Sequence, residues 1–227
     1  MKGKLIIIES GADASGKATQ TGKLYERLVE EGHKVRKITF PNYDSDSSAL
    51  VKMYLNGDFG KNPNDVSPYV ASTFYAVDRF ASYRTDWGQA YNDGWIILAD
   101  RYTTSNMVHQ AAKIKDLEEK DRFLDWLWNF EFGIYKLPVP DCVIFLDMPP
   151  SYSKELMKER ANKFTGEQKK DIHERNDEYL MESYRNSLYI AKKYNWIMIN
   201  CVENGNLKKI DEIQEKVYEA VSGIISK

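Results

Sequence analysis

Five short apolar runs punctuate the chain: Leu5–Ile8, Val35–Phe40, Trp95–Ala99, Cys142–Leu146 and Trp196–Ile199. Runs of this kind mark strands buried on both faces of a parallel sheet, where no solvent face demands a polar residue at every second position. Stretches with apolar residues at helical spacing separate them. The first begins after a glycine at Lys17 and ends at Glu31, just before Gly32. Ser67-Pro68 is an N-cap followed by a first-turn proline, and it opens a helix running toward Trp87. Further helices are predicted over Leu117–Ile134, Asn176–Lys193 and Leu207–Ile225. Alternating strands and helices imply right-handed crossovers and a doubly wound α/β fold, with helices on both faces of the sheet. No repeat, low-complexity tract or linker divides the chain, so a single domain over residues 1–227 is expected.

Two segments break the rhythm. Pro41–Ser48 is polar and turn-rich and directly follows the second strand. Ala161–Arg175 is strongly charged, with only Phe164 and Ile172 as large apolar residues. In open α/β sheets the ligand lies beyond the carboxyl ends of the strands, so the loops after strands two and three face it. The charged segment follows the helix after strand four and could fold over the same cleft as a lid.

Composition narrows the class. A chain of 227 residues, 42% hydrophobic and 29% charged, can bury one sizeable core and is not disordered. Its 32 basic and 34 acidic side chains leave a formal charge of −2, so no global field draws it to nucleic acid or membrane. Two cysteines, Cys142 and Cys201, cannot staple a domain of this size and sit in apolar runs. They point to a reducing, cytoplasmic setting. No stretch approaches the roughly 20 apolar residues that a spanning helix needs.

The chemistry begins where the first strand ends. Gly11, Ala12, Asp13, Ala14, Ser15, Gly16, Lys17, Ala18 and Thr19 have the G-x-x-x-x-G-K spacing of a phosphate-binding loop between a strand and a helix. The glycines let successive N–H groups converge with the helix N-terminus on phosphate oxygens, and Lys17 would reach the β- and γ-phosphates of ATP. The position that usually offers a hydroxyl to Mg²⁺ is Ala18. Thr19 points about 100° further round the helix, so the metal must lean on other ligands or water. The third strand ends in Asp100-Arg101-Tyr102-Thr103-Thr104-Ser105. Asp100 could bind Mg²⁺ or orient an acceptor, and Arg101 could fork onto a phosphate. A plain ion pair capping the next helix is the structural alternative.

These motifs, with Phe40-Pro41, Tyr75-Ala76-Val77-Asp78-Arg79, Pro140-Asp141-Cys142-Val143-Ile144-Phe145-Leu146-Asp147 and Asp171-Ile172-His173-Glu174, resemble the thymidylate kinases over essentially the whole chain. The resemblance implies a five-stranded parallel sheet in order 2-3-1-4-5, a P-loop kinase using ATP and Mg²⁺, and a homodimer. It implies that Asp13 accepts from the 3′-hydroxyl of dTMP and that Phe40 lies in the acceptor site. Tyr75 falls where the family stacks a Phe on thymine, with Phe74 as the alternative one position earlier. Arg79 would meet the base edge, Arg101 and Ser105 the acceptor side, and His109-Gln110 the base and sugar, where bulk disfavours a ribose 2′-hydroxyl. The chain departs from the family pattern at Tyr43, where an Arg is usual, and at Glu9-Ser10-Gly11, which holds one residue more than Glu-Gly.

Phosphoryl transfer needs positioning, charge neutralisation and exclusion of water. Since the acceptor is already an anionic oxygen, Asp100 is given an orienting and metal role and no role as base. The cations in and beside the lid are candidates for neutralising developing charge, with Arg160 foremost because a planar guanidinium bridges two phosphates. Rival readings are a deoxynucleoside kinase, another nucleoside monophosphate kinase, and a non-catalytic P-loop nucleotide sensor.

Overall fold

A computed structural model describes residues 2–11, 14–163 and 177–226, with side chains throughout except those of residues 157–163 and 177. Strands β1 (Lys4–Ser10), β2 (Val35–Thr39), β3 (Ile96–Asp100), β4 (Cys142–Asp147) and β5 (Ile197–Asn200) form one parallel sheet in the order β2-β3-β1-β4-β5. This is the order the resemblance implied. The three inner strands are nearly all buried. Edge strands β2 and β5 are more open: Lys37 and Thr39 of β2 and Ile197, Met198 and Asn200 of β5 are exposed.

The uninterrupted apolar run of β1 serves two layers at once. Ile6 and Ile8 pack with Leu24 and Leu28 of α1 (Lys17–Glu30) and with Ile213, Val217 and Val221 of α9 (Ile210–Ile225). Leu5 and Ile7 point the other way, toward Ile38, Phe40, Trp87, Tyr91 and Tyr102. All four β1 side chains are fully buried, worth about 1.5–3 kcal/mol each by removal from water. A polar residue in this run would have no solvent face to turn to.

The second layer is built largely by α3 (Pro68–Ser82), which Ser67 caps by accepting from Val70 N at 3.2 Å. The helical path predicted toward Trp87 continues through a π-turn at Tyr83–Trp87 into α4 (Gly88–Asn92). Helices α2 (Ala49–Asn56) and α5 (Thr103–His109) were not distinguished in the sequence, both being short. Helices α6 (Leu117–Trp128) and α8 (Asp177–Lys193) pack with α5 around Met107, Phe123, Leu124, Leu127 and Ile190. Helix α7 (Pro150–Lys163) runs into the first residues of the expected lid, and residues 164–176 lie outside the described residues. The last predicted helix starts later than expected. Leu207 belongs instead to a small hairpin of β6 (Val202–Glu203) and β7 (Asn206–Leu207), held by the Tyr152 hydroxyl donating to Gly205 O at 2.8 Å.

Lys113 follows α5 and is largely buried, its ammonium donating to the Tyr54 hydroxyl at 2.9 Å and Val66 O at 3.1 Å. Burial pushes it from the usual 10.5 down to about 7. The unfolded chain therefore holds a proton that the folded chain releases between those values, and stability rises with pH across that window. Relative to Lys113→Met, the wild type should gain up to about 1.4 kcal/mol per pH unit from pH 7 upward. Urea unfolding of both proteins at pH 7 and 9 measures it; identical pH slopes would show a solvated amine.

Candidate active site

The β1–β3 register pairs Ile8 with Asp100, so the phosphate loop and the Asp-Arg pair leave the sheet side by side. Helix α1 starts at Lys17 after Gly16, whose φ of 86° is left-handed and whose side offers no capping group. Gly16 thus adds no side-chain cap at the N-terminus of the helix, the end that attracts anions. Gly11 lies directly on α8, where a Cβ would come within 2.4 Å of Ser187 Oγ and 3.0 Å of the Tyr184 ring.

The extra residue before Gly11 has a clear structural effect. Successive strand residues face opposite ways, so Glu9 and Ser10 part company. Glu9 is fully buried and accepts from Thr104 Oγ1 at 2.9 Å and Ser105 Oγ at 2.6 Å, tying β1 to the first turn of α5. Ser10 turns to the loop, where its hydroxyl oxygen accepts from Lys17 Nζ at 2.7 Å and from Ser15 Oγ at 2.6 Å. The signal in the sequence was the added residue itself, but its direction needed the strand register.

Two cavities flank Asp100 and Arg101, and both residues line both. One, of about 390 Å³, is lined by Ala14–Gln20 and closed at its far end by Met148, Leu156, Leu207, Ile210 and Ile213. The other, of about 330 Å³, is lined by Phe40, Tyr43, Tyr75, Arg79, Ser105, His109, Gln110 and Tyr179 among others. Of the two aromatic alternatives, Tyr75 lines this cavity, whereas Phe74 packs on Tyr54 and Phe59. Thr19 is exposed at the rim of the first cavity. Ala12 and Asp13 lie outside the described residues, as does the side chain of Arg160.

Arg79 is more heavily committed than the sequence suggested. Its Nε and Nη2 donate to the two oxygens of Glu131 at 2.7 and 2.5 Å, Nη1 to Tyr102 O at 3.3 Å, and Nη2 also to Asn106 Oδ1 at 3.3 Å. Among the described residues, one of its five N–H groups has no acceptor. Glu131, fully buried, also accepts from Thr103 Oγ1 at 2.7 Å. Sequence reasoning missed it, although a lone acid among Phe130, Phe132 and Trp128 signals a buried carboxylate in need of a cation. Asp78 is also buried and holds the loop after β2, accepting from Asn42 N at 2.8 Å and Ser47 Oγ at 2.6 Å. The Tyr102 hydroxyl, fully buried, donates to Pro138 O, and burial pushes its ionisation well up.

The family model for thymidylate kinase matches residues 8–214. The chain belongs to the thymidylate kinase family. Its activity is the ATP-dependent phosphorylation of dTMP to dTDP. A thymidylate kinase of Plasmodium falciparum is 24% identical over 225 residues, covering 98% of this chain and 91% of that one. A probable thymidylate kinase of Staphylothermus marinus is 27% identical over 225 residues, covering 98% and 94%. The structure of a thymidylate kinase from Candida albicans superposes with a TM-score of 0.70 at 23% identity, covering 98% of this chain and 92% of that one. The thymidylate kinase fold therefore extends over both cavities and the strands between them.

Glu131→Leu should cost about 3–5 kcal/mol, because it leaves the Arg79 guanidinium buried without its counter-charge. Adding Arg79→Met should restore a large part of that loss. Urea denaturation of the single and double variants measures both, and a single-variant loss below about 1 kcal/mol would show the pair to be dispensable.

Proposed function

We propose that ATP lies in the cavity lined by the phosphate loop, that dTMP lies in the cavity lined by Phe40 and Tyr75, and that transfer occurs between them beside Asp100 and Arg101. The observation that carries this reading is the pair of adjacent cavities meeting at those two residues. An in-line displacement needs donor and acceptor phosphates to approach from two sides of one charged point.

In this reading the N–H groups of the loop through Ala14–Lys17 cradle the donor phosphates, and Lys17 stabilises charge moving onto the β–γ bridge. Ser10 and Ser15 keep its ammonium in place between turnovers. The apolar residues Met148, Leu207 and Ile210 cover the donor base. Arg101 grips the acceptor phosphate, Tyr75 stacks on the base, Arg79 offers its remaining N–H to the base edge, and Gln110 lies beside the sugar. Asp13 accepts from the 3′-hydroxyl. The dTMP phosphate oxygen attacks the γ-phosphorus while the bond to ADP breaks, and no side chain has to remove a proton. Arg160 and the segment after α7 supply positive charge and exclude water as the cleft closes.

The residues suit Mg²⁺. Asp100 Oδ1 is buried without a hydrogen-bond partner among the described residues. No group of three or more metal-ligating side chains occurs among those residues. Asp100 would therefore hold Mg²⁺ together with phosphate oxygens and water, the usual pattern for this ion. When bound, the ion supplies neutralisation of phosphate charge.

We also propose a homodimer in the cytoplasm. Val70, Val77 and Phe80 are exposed on α3, an apolar face suited to a second copy. The buried free thiols of Cys142 and Cys201, both pushed up to about 12 by burial, suit a reducing compartment. No helix among the described residues is long and apolar enough to cross a membrane.

Lys17→Met should lower kcat at least about a hundredfold in a protein that remains folded. Activity within tenfold of wild type would take the loop out of the mechanism. With Mg·ATP and ADP release as the readout, dTMP should outperform its ribose counterpart among nucleoside monophosphates. Asp13→Ala should cost roughly 1.5–3 kcal/mol with dTMP and much less with its 3′-deoxy analogue. Equal losses would assign Asp13 to the loop's own structure.

A further inference from the structure

We infer that His109 is a positioning residue for Arg101, its imidazole holding the guanidinium where the acceptor phosphate is bound. This rests on the assignment of dTMP to the second cavity and goes beyond it, since that assignment gives His109 only a steric part beside base and sugar. Arg101 Nη1 lies 3.2 Å from His109 Nε2. A guanidinium carries donors and no acceptor, so the bond has one possible direction. Nη1–H donates, the unprotonated Nε2 accepts, and the ring proton of the neutral imidazole resides on Nδ1.

Both ends of this contact are fixed from behind. Arg101 has a φ of 70°, a left-handed backbone rare for a non-glycine residue, which sets the direction in which its side chain leaves the sheet. His109 ends α5, and its carbonyl accepts from the Tyr179 hydroxyl at 2.9 Å. The carbonyls of Met107 and Val108 accept from Asn186 Nδ2 at 2.9 and 2.7 Å. Three carbonyls in succession thus bind the end of α5 to α8, and the imidazole stands on a rigid support.

The charge inventory of the cavity makes this placement matter. Position 43, where a second arginine would strengthen the hold on phosphate, is a tyrosine. Arg79, the other arginine lining the cavity among the described residues, is directed to Glu131, Tyr102 and Asn106. Among the described residues the acceptor phosphate therefore relies on Arg101. An arginine ordered before the ligand arrives gives up less rotamer freedom on binding.

The test compares dTMP with thymidine, which has the same base and sugar and no phosphate. Titration calorimetry on the full chain reads both affinities, and thermal unfolding checks each variant. His109→Phe should weaken dTMP roughly tenfold or more while changing thymidine less than about twofold. His109→Gln, whose amide oxygen can accept from Nη1, should recover most of the dTMP affinity. Arg101→Ala should remove the preference for dTMP over thymidine, and His109→Phe added to it should cost nothing further. Equal weakening of both ligands by His109→Phe, with the Arg101→Ala effect as expected, overturns the positioning role and leaves a steric one. An Arg101→Ala protein that keeps its preference for dTMP overturns the acceptor-site assignment itself. Should His109→Phe not fold, His109→Ala against His109→Gln gives the same comparison.

Discussion

The register between β1 and β3 is the constraint on which the rest of this structure depends. Ile8 beside Asp100 means that the chain leaves one strand as the phosphate loop and the neighbouring strand as Arg101, a few ångströms apart. A slip of one residue would turn the side chains of one strand, Leu5–Ile8 or Ile96–Ala99, to the wrong layers, exchanging the small aliphatic packing around α1 and α9 for the aromatic packing around Trp87 and Tyr102. Because both layers are closely packed and chemically different, the core itself fixes where Asp100, Arg101 and the loop after β1 stand.

Around that junction, charge is buried only where it is answered. Glu9 meets two hydroxyls and a backbone N–H, Asp78 a hydroxyl and a backbone N–H, and Glu131 a guanidinium and a hydroxyl. Each carboxylate binds one loop or helix start to a neighbouring element, so the polar groups stiffen the frame of the site from below. Asp100 Oδ1, unanswered by the described residues, is the exception, and it lies where both cavities open.

Much of this was legible in the sequence. Uninterrupted apolar runs revealed the inner strands because two-sided burial forbids polar alternation, and Ser67-Pro68 marked a helix start that the structure retains. The phosphate loop was legible because its glycines and lysine are local requirements. What escaped were long-range partners. Nothing near Arg79 announces Glu131, and nothing near Glu9 announces Thr104 and Ser105, since these contacts span 52 and about 95 residues of chain. The hairpin that takes Leu207 out of the final helix also escaped, because a short apolar–polar alternation there fits either element.

The close approach of Gly11 to α8 bears on how the sequence can vary. With Ser187 Oγ and the Tyr184 ring occupying the space a Cβ would need, the two segments cannot change independently. A side chain at position 11 would have to move the Ser187 hydroxyl and press on Tyr184, in the same helix whose Asn186 and Tyr179 bind the end of α5. Positions 11, 184 and 187 therefore form one unit of evolutionary drift. A side chain at position 11 therefore calls for a smaller residue or another rotamer at position 187, on the helix that also supports the second cavity.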